Sequence, residues 1–310
     1  MKESLVLEEY GLPRSSRAYA ASFVSCFGWY RRTVDRSPFV SEAVDLAAGG
    51  LTFAVLYPQS SDAPEDPISA LAPSSPAIGR ICRQAGYLYE SIEKWNGVYN
   101  FLYFQGRIRA QLRRHVPVLF LDGRRGREWH ILIGMEADAK AICFLAPGGE
   151  TAWLSDWYER MEGFLLLRKE EPAHQEGRDI AALLRRALKQ RREPLPGFAV
   201  GEEAYTAWQR DLSSSGDERA VRRSLAMRDR LVEARRGALT LVRLLAAQYP
   251  DAQRALRPAD ETLARLLEAL ESMDGFCAWH IGALARQDAH AIRELERILL
   301  CDILHTNESD

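Results

Sequence analysis

Apolar positions along this chain recur with two different periods, and the change between them falls near Lys169. Ahead of it, the clearest stretch is Val116 to Gly149. There, the runs Val116 to Leu121, Trp129 to Gly134 and Ala141 to Leu145 are rich in β-branched and aromatic residues. Turn residues separate them: Asp122-Gly123 before Arg124, Arg125, Gly126 and Arg127, then Ala137-Asp138-Ala139-Lys140, and finally Pro147-Gly148-Gly149. Short apolar runs bounded in this way predict a meander of antiparallel strands, with His130 at the start of the middle one. Around it, the pattern predicts a helix over Ser22 to Thr33, capped by Ser22 or Ser25, with Cys26 in or just before its first turn. A glycine turn into a strand is expected over Asp45 to Pro58, a surface loop over Gln59 to Ser75 and a short helix over Ile78 to Ala85. A strand over Tyr87 to Ile92, a helix over Val98 to Arg114, a short helix over Trp153 to Tyr158 and a closing strand over Gly163 to Arg168 complete the first part.

Beyond Lys169 helical spacing dominates. Helices are predicted over Arg178 to Arg192, Gly201 to Leu212, Asp217 to Gln248, Pro258 to Met273 and Asp288 to Leu304, with Ser213-Ser214-Ser215-Gly216 as a break. Leu263, Leu266, Leu267, Leu270 and Met273 exemplify the apolar stripe. The expected organisation is an α+β domain over residues 1–172 and an all-α helical domain over 173–310, joined near residues 170–177.

Charge and composition narrow the function classes. At 310 residues the chain is long enough for two cores. A formal charge of −2 disfavours a nucleic-acid partner gripped by its phosphates. No apolar run approaches the ~20 residues that span a bilayer, and MKESLVLEEYGLPR lacks a signal-peptide pattern, so no membrane association and a cytoplasmic location are expected. Cys26, Cys82, Cys143, Cys277 and Cys301 are scattered without paired spacing, which predicts neither a disulfide framework nor a cysteine zinc site. His280, His290 and His305 share no ligand spacing, so no metal is expected. No cofactor is expected either, since the chain has no glycine-rich phosphate loop, and no Gly-x-Ser-x-Gly elbow offers a serine nucleophile.

Cys26 and His130 are the two residues whose type and placement suit a thiol nucleophile and its base. A helix N-terminus favours thiolate, a histidine takes the proton, and a third polar group orients the ring. Against this stands the ordinary role of each: Cys26 lies among Phe23, Val24, Phe27 and Trp29, as a core cysteine would, and a strand histidine often serves only to bond a carbonyl. Arg124, Arg125 and Arg127 read as a solvated turn, with reception of a carrier-protein phosphate or acidic surface as the other reading. Arg219, Arg222, Arg223, Arg235 and Arg236 alternate with acids in the manner of a solvated helix face.

Glu128-Trp129-His130 followed by Ile131-Leu132-Ile133-Gly134, between a strand ending in Asp122 and one ending in Pro147, resembles the histidine region of papain-like cysteine proteins of the bacteriocin-processing peptidase type. More narrowly, the chain is similar to the butirosin biosynthesis protein H family. Ser25-Cys26, Gly49-Gly50 with Phe53 after it, and Gly201, Ala204, Tyr205, Trp208 and Leu212 of GEEAYTAWQRDL fall in matching order. The resemblance implies a papain-like domain followed by a helical one. It also implies passage of an acyl group from a carrier-protein thioester, through Cys26, to a small amine, with His130 as general base. Members usually carry an aspartate before the proline that ends the third strand, and here that position is Ala146. The resemblance then leaves Asp122 as the nearest substitute to orient His130, with Asn96 and Asn100 behind it; read alone, Asp122-Gly123 is a turn. A cysteine peptidase or amidase with the same pair, and a catalytically inactive papain-like binding protein, are the alternatives.

Overall fold

The computed structural model describes residues 4–7, 22–37, 41–59, 71–94, 100–124, 127–146, 150–170, 180–214, 218–273 and 277–300. Asn96, Arg125, Pro147 to Gly149, Cys301, His305 and the expected junction at residues 171–177 lie outside them. The protein is mixed α and β, with an antiparallel sheet early in the chain and helices toward its C-terminus.

The chain divides into two compact units. One comprises residues 1–42 and 68–173, the other 43–67 and 174–310. In the first, the described elements are β1 (Leu5–Val6), α1 (Phe23–Thr33), α3 (Pro76–Gln84), β3 (Tyr87–Glu93), α4 (Phe101–Leu112), β4 (Val118–Asp122), β5 (Glu128–Met135), β6 (Ile142–Leu145), β7 (Thr151–Leu154), α5 (Trp157–Arg160) and β8 (Met161–Lys169). Their sheet runs β3-β8-β4-β5-β6-β7 with every neighbour antiparallel, and β1 pairs with the far end of β5. Gly134 permits that last pairing, since a Cβ there would stand 2.9 Å from the Leu5 carbonyl oxygen.

Residues paired directly across strands share a face, and neighbours along a strand alternate between faces. The pairs Ile92↔Phe164, Phe120↔Phe164 and Phe120↔His130 therefore place these four residues on one face. On that face, the Phe104 ring of α4 meets Phe164 at 5.0 Å and Tyr158 of α5 at 5.5 Å. Leu121↔Trp129 and Leu119↔Ile131 belong to the opposite face. There, α1 packs Phe23 against Trp129 at 5.1 Å and Phe27 against Tyr87 at 5.3 Å. Covered on both sides, β4 and β5 are buried along nearly their whole length, which is why they read as continuous apolar runs.

One expected helix is a strand for a third of its length. Over Trp153 to Tyr158, Trp153 and Leu154 close β7, paired with Cys143 and Ile142, and only Trp157 and Tyr158 are helical. Thr-Ala-Trp-Leu is too short to show a period, and the unpaired edge of β6 supplied its backbone partners.

The second unit holds α2 (Glu42–Gly49, whose first residue lies before the division), β2 (Leu56–Pro58), α6 (Ile180–Gln190), β9 (Phe198–Val200), α7 (Glu202–Ser214), α8 (Glu218–Gln248), a 3-10 turn at Pro250–Ala252, α9 (Gln253–Glu271) and α10 (Ala278–Leu300). The expected strand after the glycine turn is present as β2, but Glu42–Gly49 ahead of it is a helix, ended by Gly50 at φ +82°. Residues 43–67, expected in the first domain, group with this helical unit because β2 pairs with β9. Helix α9 starts five residues before Pro258 and α10 ten before Asp288. Buried Leu256 in the one, and Ile281 and Leu284 in the other, extend each apolar stripe through a proline and a glycine that locally suggest breaks. Val55, Tyr57, Trp208, Leu231, Leu266 and Ile281 form part of the core. No helix among the described residues is long and apolar enough to cross a membrane.

Candidate functional site

The sequence delivers Cys26 to α1 as expected. The Ser22 hydroxyl caps the helix by accepting from the Ser25 N–H at 3.3 Å. The Cys26 N–H, however, already bonds the Ser22 carbonyl at 3.0 Å, so Cys26 lies one residue beyond the open donors of the first turn. Its side chain is fully buried, and the thiol donates to the Trp129 carbonyl at 3.2 Å. Burial pushes the thiol well above its ordinary value. A buried thiol in this condition stays protonated at neutral pH and is a poor nucleophile.

His130 occupies the expected strand but faces the other way. Its ring lies 5.4 Å from Phe120 and 5.0 Å from Phe144, on the α4 face of the sheet, whereas Cys26 sits under α1 on the Trp129 face. The tertiary structure thus does not bring Cys26 and His130 together as nucleophile and base. His130 is 5% exposed, and its Nδ1 has no hydrogen-bond partner among the described residues. Burial lowers the His130 pKa to about 4, with the Asp122 carboxylate working against the shift and the Arg160 guanidinium with it.

Asp122 does share His130's face, yet its oxygens are committed elsewhere. Oδ1 accepts from the Arg124 N–H at 3.0 Å and from Arg160 Nε at 3.3 Å, and Oδ2 pairs with Arg160 Nη2. The turn bond to Arg124 is the Asp-Gly role that local sequence predicts; the ion pair to Arg160 is not visible locally. Ala146 offers no carboxylate, and its N–H bonds the Glu150 carbonyl. The Asn100 side-chain oxygen Oδ1 accepts from the Tyr158 hydroxyl at 2.7 Å instead of meeting His130.

The charged neighbour that does reach His130 is Glu128, two residues earlier on the same face, with Oε2 3.5 Å from Nε2. Burial, and then the Asp122 carboxylate, raise the Glu128 pKa. Asp122, Glu128 and Arg160 form a charged cluster around the His130 ring at the end of the β4–β5 ladder. Alternation alone puts Glu128 beside His130, so that member was readable in advance, whereas Arg160 needed the β4–β8 pairing. Among the described residues no group of histidine, cysteine and carboxylate side chains is arranged to hold a metal. The turn arginines are neutralised locally, Arg124 by Asp156 at 2.7 Å and Arg127 by Glu162.

The depressed His130 pKa has a consequence for stability. The unfolded chain takes up this proton below about 6.5, while the folded ring resists it down to about 4. His130's contribution is therefore complete above pH 6.5 and is lost as pH falls toward 4, by roughly 3 kcal/mol in all at ~1.4 kcal/mol per pH unit. Urea midpoints measured from pH 7 to pH 4 should fall more steeply for the wild type than for His130→Phe. Parallel curves would show that the ring protonates freely in the fold.

No family model matches the chain, and no curated protein matches it.

Proposed function

We propose that this chain is a binding protein whose first unit is a papain-like domain without thiol chemistry. One observation carries the reading: Cys26, the cysteine that the sequence analysis places at a helix start, is fully buried and points at a backbone carbonyl, on the sheet face opposite His130. Nucleophilic catalysis needs an exposed sulfur with a base in hydrogen-bond reach. Here burial raises the thiol and depresses the imidazole, which opposes formation of the thiolate–imidazolium pair from both sides. An acyl transfer from a carrier-protein thioester to an amine, or hydrolysis by the same pair, would need α1 to repack.

Thiol labelling separates these readings. Folded protein treated with iodoacetamide, and separately with an acyl-pantetheine thioester, is digested and mapped by mass. Cys277, which is exposed, should alkylate readily, while Cys26 stays unmodified until denaturant is added. An acyl adduct at Cys26 in the native protein, absent from Cys26→Ala, would overturn the proposal and establish the acyltransferase or hydrolase instead.

A further inference from the structure

The second unit contains a cavity of about 450 Å³, within the size range of small-molecule sites. It is built between α7 and α10, with Phe53 and Val55 from the segment before β2 and the residues that follow α6 closing its sides. Helical spacing explains why it is hollow. Gly282, Ala285 and Ala289 line it at intervals of three and four residues on α10 and add little side-chain volume there, between the larger lining residues of the same helix. Gly282 also leaves room for the Gln209 side chain of α7, whose Nε2 would stand 2.8 Å from a Cβ there and donates to the Ala278 carbonyl at 3.0 Å.

The electrostatics of this cavity are one-sided. Asp288 faces it, but both carboxylate oxygens are held by the buried Arg235 at 2.6 Å, and the Tyr205 hydroxyl donates to Asp288 at 3.0 Å. Arg191 is paired with Glu296 at 2.7 Å. Three further guanidinium groups on the lining, Arg192, Arg286 and Arg293, form no ion pair with any described residue, against one unpaired carboxylate, Glu202. Arg286 and Arg293 stand two turns apart on α10, flanking the apolar patch of Phe53, Val55 and Ile292.

We propose that this cavity binds a small organic anion. Its carboxylate or phosphate head is held by Arg286 and Arg293, with Arg192 closing the rim, and its apolar body lies against Phe53, Val55 and Ile292. Guanidinium groups suit either head, because their planar donors match two oxygens at once. The proposal does not depend on the inactivity of Cys26, which lies in the other unit.

Calorimetric titration of the full chain with octanoate, octyl phosphate and 1-octanol tests it. Saturable binding of at least one anion is expected, with octanol weaker by about tenfold or more. An R286Q/R293Q variant should weaken the anion by about tenfold or more while leaving the melting transition in place, because neither arginine is paired in the fold. Binding of octyl phosphate alone assigns a phosphate head, and binding of octanoate alone a carboxylate. The proposal is overturned if neither anion saturates at millimolar concentration, if octanol binds as tightly, or if R286Q/R293Q retains the wild-type affinity. Ala289→Phe, which fills the cavity, should abolish binding of either anion; undiminished binding by a folded Ala289→Phe would also refute the site.

Discussion

Replacing Arg235 by methionine should destabilise the helical unit by about 3–5 kcal/mol, the range for removing one partner of a buried ion pair. The Arg235 side chain is fully buried in the middle of α8 and bonds the Asp288 carboxylate through Nε and Nη2, both at 2.6 Å. Its Nη1 also donates to the Thr52 carbonyl at 2.6 Å, tying the segment before β2 to α8. Without Arg235, Asp288 keeps, among the described residues, only the Tyr205 hydroxyl at 3.0 Å, and a buried carboxylate with so little compensation is costly to keep out of water. Adding Asp288→Leu to Arg235→Met should recover most of the loss, because the remaining site is apolar and the uncompensated charge is gone. Urea unfolding of the two variants provides the comparison. A loss below about 1 kcal/mol in Arg235→Met would mean that water reaches Asp288.

Phe164→Ala should destabilise the first unit by a similar amount, about 3–5 kcal/mol. Phe164 is fully buried on β8, paired with Ile92 on one side and Phe120 on the other, with the Phe104 ring 5.0 Å away. These neighbours sit on three different elements, β3, β4 and α4, so the sheet and the helix that covers it cannot both close around the vacated space. Hydrogen exchange read by mass spectrometry should show lost protection in β3, β4, β8 and α4. Unchanged protection there would indicate that the strands hold without this ring. Phe164→Leu, which retains most of the volume, should recover the larger part of the loss.

The α10 sequence shows how far local pattern carries. Ile281, Leu284, Asp288, Ala291, Leu295 and Ile298 are all buried and spaced by three and four, so Asp288 stands where the stripe calls for an apolar residue. Arg235 occupies an equivalent place in α8, near Leu231, Ala238 and Val242. Its alternation with acids resembles a solvated face, and that expectation is overturned by its burial. The signal was present in the stripe, but the partner lies 53 residues away, beyond any local window. Of the other arginines of that face, Arg222 and Arg236 pair with Glu218 and Glu271 at the surface as expected, whereas Arg223 is half-buried and pairs with Asp211 at 3.0 Å.

By itself, the sequence determined the kinds of element and much of their placement. Burial on both faces makes β4 and β5 read as continuous apolar runs, Ser22 caps α1, and the shift to helical spacing separates a sheet-bearing part from a helical one. Only the tertiary structure decided which side chains meet. Cys26 and His130 each stand on the expected element, yet strand alternation sends Trp129 toward α1 and His130 away from it. Because the side-chain period of a strand is two, a one-residue difference in position reverses the face. No composition or motif spacing specifies which face a distant helix will cover. That choice comes from packing Phe23 and Phe27 against Trp129 and Tyr87, and it is what sets the cysteine and the histidine on opposite sides of the sheet.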